Sequence, residues 1–246
     1  MKIIVIGESC KDVFVYGDVK RLSPEAPVPV FNPTETISNF GMSGNVVQNL
    51  KSLDKDLEII HWRQDERITK TRYVDHKSNH MFIRVDDGEN KIRPLYLDNL
   101  KIDELKTADA IIVSDYNKGY LTEELLFEIT KHSKFSVIDT KKHIGDALVE
   151  GFNYVKLNES EFAKHNFNDR SLDKVLITRG SGGARHKGKV YPSPDPKETI
   201  DVSGAGDTFT ASFTLRYLIT NNVEESIIFA NKMASIVVSK RGVSTP

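Results

Sequence analysis

Five short apolar runs, rich in β-branched residues and each stopping at glycine or a polar residue, constrain this chain more than anything else in it. They are KIIVI (2–6), AIIVSD (110–115), FSVIDT (135–140), YVKLN (154–158) and VLITRG (175–180). Runs this short and this continuously apolar read as strands buried on both faces. Helix-compatible stretches separate most of them. In LTEELLFEITKH (121–132), Leu121, Leu125, Leu126 and Ile129 fall on one face and Thr122 is placed as an N-cap. Such alternation predicts an α/β fold, a central mostly parallel sheet flanked by helices on both sides. Ligands of such folds bind outside the carboxyl ends of the strands, so the polar residues ending these runs are where a site is expected.

VFVYGDV, PVPVF, ITKTRYVDHK and HMFIRVDD have a more amphipathic pattern. They predict a small separate β-sheet, inserted in the α/β body as a lid, with strands drawn from about 12–36 and 67–86. A helix is expected over 45–53, and two long helices over 206–220 and 223–239. SPDPKE (193–198) reads as a surface turn rather than a linker, so 1–246 is expected to form a single domain. That length buries a core without staples. The 34 basic residues are matched by 35 acidic ones, which argues against binding nucleic acid through bulk charge. No run approaches the ~18–20 apolar residues of a membrane span, and MKIIVIGESC turns polar too soon for a secretory signal. Cys10 is the single cysteine, and no Cys/His cluster has zinc spacing. A cytoplasmic protein with small-molecule ligands and no nucleic-acid or membrane partner is expected.

The sharpest local feature is DVSGAGDTF (201–209), just before a helix. Gly204 and Gly206, around Ala205, let the backbone turn so that amides point outward at a helix N-terminus, an arrangement that favours an anion. A carboxylate, Asp207, follows at once. Its charge repels an anion, but it suits a group that takes a proton from a hydroxyl attacking a phosphoryl held by those amides. The plainer reading is a glycine-rich helix start with Asp207 as dipole partner. The motif is not a Walker A loop, because no lysine follows Gly206, nor a dinucleotide fingerprint, because Phe209 stands where a third glycine belongs. Asn158 and Glu161, after the YVKL strand, are candidates at the ligand end of the sheet, and equally an N-cap and its capping-box partner. TRGSGG (178–183) lines a nucleotide or turns a hairpin into ARHKGKVY. Asp12 follows the first strand, where a carboxylate can grip sugar hydroxyls, and GMSGN (41–45) holds a ligand or caps a helix. The seven histidines are scattered and expected at the surface, and Cys10 as a small core residue.

Taken in this order, these segments resemble the ribokinase-like (PfkB) sugar kinases. More narrowly, they are similar to the kinase domain of the D-glycero-β-D-manno-heptose 7-phosphate kinases of lipopolysaccharide core synthesis. The matching stretches are YGDVKRLSPEAPVPV (16–30), SDYNKGYL (114–121), the NxxE at 158–161, DVSGAGDTF and FANKMASIVVSKRGVSTP (229–246). The resemblance implies Asp207 as general base and Gly204, Ala205 and Gly206 as the anion hole. It places Asn158, Glu159, Ser160 and Glu161 at ATP, with Glu161 organising Mg²⁺ through water. Thr178, Gly180 and Gly183 are implied along the nucleotide and Asn231 near its adenine. Asp12 and Asn45 match positions that hold sugar hydroxyls, and Arg84, Lys118 and Lys141 match basic positions suited to a sugar's phosphate. The implied cofactors are ATP and Mg²⁺, with a monovalent cation left open. A homodimer through the lid sheet is also expected.

Three departures stand out. Met42 occupies a position where relatives have glycine in a Gly-Gly-Ala-Ala-Asn type loop, which predicts an altered pocket. Only LEIIHWRQDE precedes the TKTRYVDH strand, so an element of the α/β layer is expected to be missing. The chain stops at Pro246, short of the nucleotidyltransferase domain fused to some relatives, so a kinase working alone is expected. Two other readings stay open: the same fold acting on another sugar, and a nucleotide-binding pseudokinase with a regulatory or scaffolding role.

Overall fold

Alternate residues of the first strand face opposite ways, and two cores grow from them. The computed structural model describes residues 1–194, 202–240 and 242–246. The strands in chain order are β1 (Lys2–Gly7), β2 (Ser9–Leu22), β3 (Pro29–Met42), β4 (Glu58–Trp62), β5 (Ile68–Asp75), β6 (Met81–Asp87), β7 (Ala110–Asp115), β8 (Ser136–Thr140), β9 (Tyr154–Asn158), β10 (Val175–Thr178), β11 (Ala184–His186) and β12 (Lys189–Tyr191). The helices are α1 (Ser43–Leu53), α2 (Asn99–Thr107), α3 (Glu123–His132), α4 (Asp146–Gly151), α5 (Glu159–Phe162), α6 (Asp169–Leu172), α7 (Ala205–Thr220) and α8 (Val223–Val238).

An eight-stranded sheet runs in the order β12-β11-β10-β9-β8-β7-β1-β4, parallel from β10 to β4, with β11 and β12 a hairpin at the far edge. Ile4 and Ile6 enter a core with Leu105 of α2, Leu126 and Ile129 of α3 and Leu148 of α4. Ile3 and Val5 enter another with Leu50 of α1, Phe209 and Phe213 of α7 and Ile227 of α8. Both faces are therefore covered, and each fully buried side chain of this kind contributes roughly 1.5–3 kcal/mol. Thr122 caps α3 by accepting from the Leu125 amide. In α7, nine consecutive residues from Asp207 to Leu215 are buried. Two of its buried hydroxyls bond within the helix, Thr210 to the Gly206 carbonyl and Thr214 to that of Thr210, which satisfies those donors inside the core; the buried Ser212 hydroxyl has no hydrogen-bond partner among the described residues.

A second sheet, ordered β3-β2-β5-β6, springs from the carboxyl end of β1, with only Glu8 between Gly7 and the start of β2, and the Ser43 amide that follows β3 donates to the Glu8 carbonyl at 2.9 Å. Its strands reach beyond the expected 12–36 and 67–86, since β2 and β3 pair from Ser9 and Met42 up to Leu22 and Pro29. The expectation of a missing element resolves into parts. A strand is present, β4 paired parallel with β1 at the sheet edge, but no helix follows it, and the chain passes straight from Trp62 through 63–67 into β5. Of the SPDPKE turn only Ser193 and Pro194, and of DVSGAGDTF all but Asp201, lie within the described residues.

Candidate active site

At the carboxyl ends of β7 to β10, facing the start of α7, lies a cavity of about 520 Å³, within the range of small-molecule sites. Gly204, at φ 82°, takes the left-handed conformation that turns the chain into α7. The first helical hydrogen bond runs from the Thr208 amide to the Gly204 carbonyl at 2.9 Å, so the Gly206 and Asp207 amides precede it and are free of the helix ladder. A Cβ on Gly206 would stand 2.9 Å from Lys156 Nζ, and one on Gly204 2.5 Å from Asn45 Nδ2. The glycines thus let a cation and an amide close in on the helix start. A helix start of this kind suits an anion.

Asp207 is 4% exposed. Its Oδ2 accepts from Asn45 Nδ2 at 3.0 Å and its Oδ1 from Tyr116 Oη at 2.9 Å. Burial pushes its carboxyl up to about 6, with the neighbouring Asp139 adding to the rise, while the Asn45 and Tyr116 hydrogen bonds and Lys156 pull the other way. Asn45 is itself held, since Asn49 Nδ2 donates to its Oδ1 at 3.1 Å and Thr208 Oγ1 donates to Asn49 Oδ1 at 2.8 Å. A buried polar chain therefore links α1 to α7 and orients the carboxylate. Beside it, Lys156 Nζ donates to Asp139 Oδ2 at 2.8 Å, both side chains being buried.

The other expected residues separate. Asn158 and Thr178 line the cavity, as do Gly180, Lys141 and Asn231. Asn158 and Glu161 form the capping box that the plainer reading described: Asn158 Oδ1 accepts from the Glu161 amide, and Glu161 Oε2 from the Asn158 amide, each at 2.8 Å. This leaves Glu161 Oε1 bonded to Lys141 Nζ at 2.5 Å, so Lys141 belongs with the NxxE. Asn231 Nδ2 donates to the Tyr191 carbonyl at 2.9 Å, tying α8 to the end of β12. Glu159 and Ser160 do not line the cavity: Glu159 pairs with Arg179 at the surface and Ser160 Oγ donates to Asn158 Oδ1. Gly183 does not line it either. A Cβ there would meet the Tyr191 carbonyl at 2.1 Å, so this glycine closes the approach of β12 in the hairpin.

Asp12 lies on the inward face of the second sheet, 5% exposed, paired with Arg72. Lys118 pairs with Glu89. Arg84 lies apart from the cavity. It stands on the exposed β6, its Nε and Nη2 clamping both oxygens of Asp86 at 2.7 Å, so its fork is already filled. Sequence reasoning passed over Tyr116, Asp139, Lys156, Asn49 and Thr208. The signal for Asp139 and Lys156 was there, each a charge inside an otherwise apolar strand.

The pfkB family carbohydrate kinase profile matches residues 42–246. The bifunctional protein HldE of Helicobacter pylori strain J99 is 32% identical over 296 aligned positions, covering 98% of this chain and 63% of the relative. That of Helicobacter acinonychis strain Sheeba is 31% identical over 295, with the same coverage. The chain thus spans 63% of the length of these curated relatives. Both alignments are longer than the 246 residues of this chain, so the relatives carry residues inside the matched span that it lacks. Among solved structures, ribokinase from Thermotoga maritima superposes with a TM-score of 0.73 at 18% identity, covering 98% of this chain and 94% of that one. Ribokinase from Arabidopsis thaliana, solved with ribose and ATP, gives 0.70 at 16% identity, covering 98% and 93%. The fold is ribokinase-like, and the chain belongs to the pfkB family of carbohydrate kinases.

Proposed function

We propose that the chain transfers the γ-phosphoryl group of ATP to the anomeric hydroxyl of D-glycero-β-D-manno-heptose 7-phosphate, giving the 1,7-bisphosphate and ADP. The observation that carries the transfer is Asp207, a buried carboxylate one residue beyond Gly206 at a helix start whose free amides and Lys156 suit a phosphoryl group. The heptose phosphate is supported by the SPEAPVP and SDYNKG stretches and by the HldE relatives. In this reading Asp207 takes the proton from the acceptor hydroxyl as the new O–P bond forms. Tyr116 and Asn45 keep its two oxygens aimed. The Gly206 and Asp207 amides and Lys156 meet charge on the transferred group. Asp12 and Asn45 hold acceptor hydroxyls, and Asn158, Thr178, Gly180 and Asn231 lie along the nucleotide. The second sheet is the lid that excludes water, a competing acceptor.

Among the described residues no cluster of three or more acidic, histidine or cysteine side chains forms a ready metal cage. Glu161 and Asp139, whose buried Oδ1 lacks a hydrogen-bond partner among those residues, fit instead as single carboxylates facing an ion that arrives on the nucleotide. Mg²⁺ bound there supplies charge neutralisation on the phosphates.

ADP release is the test, with Mg-ATP and the heptose 7-phosphate beside fructose 6-phosphate and ribose. Asp207→Asn should lower turnover about 10²- to 10⁴-fold with nucleotide binding retained; near-wild-type turnover would sink the assignment. The base works only when ionised, so wild-type kcat/KM should climb with pH through about 6 and level off above it. A rate independent of pH from 5 to 8 contradicts the role. Two copies of the chain, we further propose, pair through the outward face of the lid.

A further inference from the structure

Lys70, on β5 of the lid, and Lys118, on the loop after β7, share a single carboxylate. Lys70 Nζ lies 3.2 Å from Glu89 Oε1, and Lys118 Nζ donates to Glu89 Oε2 at 2.5 Å. Lys70 is 9% exposed at its side chain, Glu89 17% and Lys118 29%. Nearby, Arg72 pairs with Asp12 and Arg84 with Asp86, and the buried Glu8 carboxylate accepts from the amides of Tyr116, Lys118 and Tyr120. The triad itself sets two ammoniums against one carboxylate, and a charge taken out of water needs close compensation. Burial raises the Glu89 carboxyl, yet the ammoniums of Lys118 and Lys70 outweigh it and hold the group below its ordinary value. Glu89 is therefore present as an anion.

The triad adjoins the candidate base. Lys70 Nζ lies over the ring of Tyr116, 5.7 Å from its centroid, and the hydroxyl of that ring bonds Asp207 at 2.9 Å. One tyrosine and its two contacts thus separate the lysine pair from the base. A sugar of six or seven carbons bridges such a span, with its acceptor hydroxyl at Asp207 and its far end at the lysines. A monoester phosphate there carries two charges against two ammoniums, a better match than one carboxylate.

We propose that Lys70 and Lys118 form the anion-binding end of the acceptor pocket and that Glu89 is its resident counter-ion, displaced when an acceptor's phosphate monoester binds. This deepens the kinase reading and rests on it for the place of the acceptor hydroxyl. Glu89 leaves the lid directly after β6, so the same exchange replaces a lid-to-body ion pair by contacts to substrate.

Calorimetric titration of the full chain with D-glycero-β-D-manno-heptose 7-phosphate, the unphosphorylated heptose and inorganic phosphate tests the proposal. Lys70→Met and Lys118→Met should each weaken the phosphorylated heptose at least 10-fold and leave the free heptose unchanged. Glu89→Gln, which removes the competitor and keeps the shape, should tighten the phosphorylated heptose and inorganic phosphate several-fold. A merely structural Glu89 would not do so. Should Glu89→Gln fail to fold, the more exposed Lys118→Met still decides the matter. Equal losses for both heptoses, weaker phosphate binding by Glu89→Gln, or no binding of any phosphate by the wild type overturns the proposal. ADP release, read in parallel, separates the two ideas. Phosphate binding at the lysines without turnover sinks the kinase reading alone. Turnover indifferent to the acceptor's phosphate sinks the anion end alone.

Discussion

Met42 has the backbone of a glycine. At φ 59° and ψ −136° it stands as N-cap of α1, a conformation that costs a side-chain-bearing residue about 1–3 kcal/mol. The sequence comparison with Gly-Gly-Ala-Ala-Asn loops suggested that a methionine here alters the pocket. The chain keeps the glycine-like turn, and the methionine side chain packs with Cys10 and Ile68 at the base of the second sheet. Burial of that side chain, worth about 1.5–3 kcal/mol, offsets the strain. Met42→Ala retains the strained turn and loses the packing, so it should cost about 2–5 kcal/mol. Met42→Gly loses the same packing but relieves the strain, and should be the more stable of the two. Urea denaturation of both variants checks this, and a glycine variant less stable than the alanine one would show that the backbone is not strained here. Such a conformation is invisible in the sequence, because only the fold imposes it.

Between elements, the Asp139–Lys156 pair joins neighbouring strands of the main sheet, in register on β8 and β9. Lys156→Met takes from a buried carboxylate its hydrogen-bonding ammonium and leaves Lys141 Nζ, at 3.8 Å, as its remaining ion partner, so a destabilisation of at most about 3–5 kcal/mol is expected. Adding Asp139→Leu removes the stranded charge and should restore most of the stability, while turnover stays low because no ammonium meets the helix start. Denaturation midpoints and ADP release for the single and double variants check this. A double variant with wild-type turnover would reduce the pair to a structural one. The strands themselves were legible, because β-branched runs on a doubly covered sheet have few other fates. Asp207 was legible too, since its motif is contiguous. The partners of Asp207 were not, because Tyr116, Asn45 and Asp139 come from separate elements and meet only through strand order. Nor was the pairing of Arg84 with Asp86, two residues on along the same strand, which depends on the rotamers the two side chains adopt.

At the scale of the whole molecule, the lid is unusual in what it shows to solvent. Residues of even number on β2 and β5 face the body: Cys10, Asp12, Phe14 and Tyr16 are buried, with Ile68, Lys70 and Val74 beside them. The odd-numbered face points away from the body and would ordinarily be polar. Here it carries Val13, Val15 and Tyr73, with Phe40, Ile83 and Val85 exposed at 59%, 56% and 46%. At its distal end the rings of Phe31, Tyr73 and Phe82 cluster edge to face around an open apolar hollow. An apolar face of this extent on a four-stranded sheet is costly in water and marks an association surface. A second copy of the chain is the partner that is always at hand, and a closed two-fold pairing of identical faces consumes the surface on both. Sedimentation of the wild type at tens of micromolar should therefore give a species of twice the 27.7 kDa chain mass. Ile83→Lys with Val85→Lys, both outside the candidate active site, should return it to the chain mass with the fold intact by circular dichroism. Because each lid would then brace the other, the monomeric variant should also show a raised KM for the acceptor. A wild type that sediments only at the chain mass would end the idea and leave this face for a different partner.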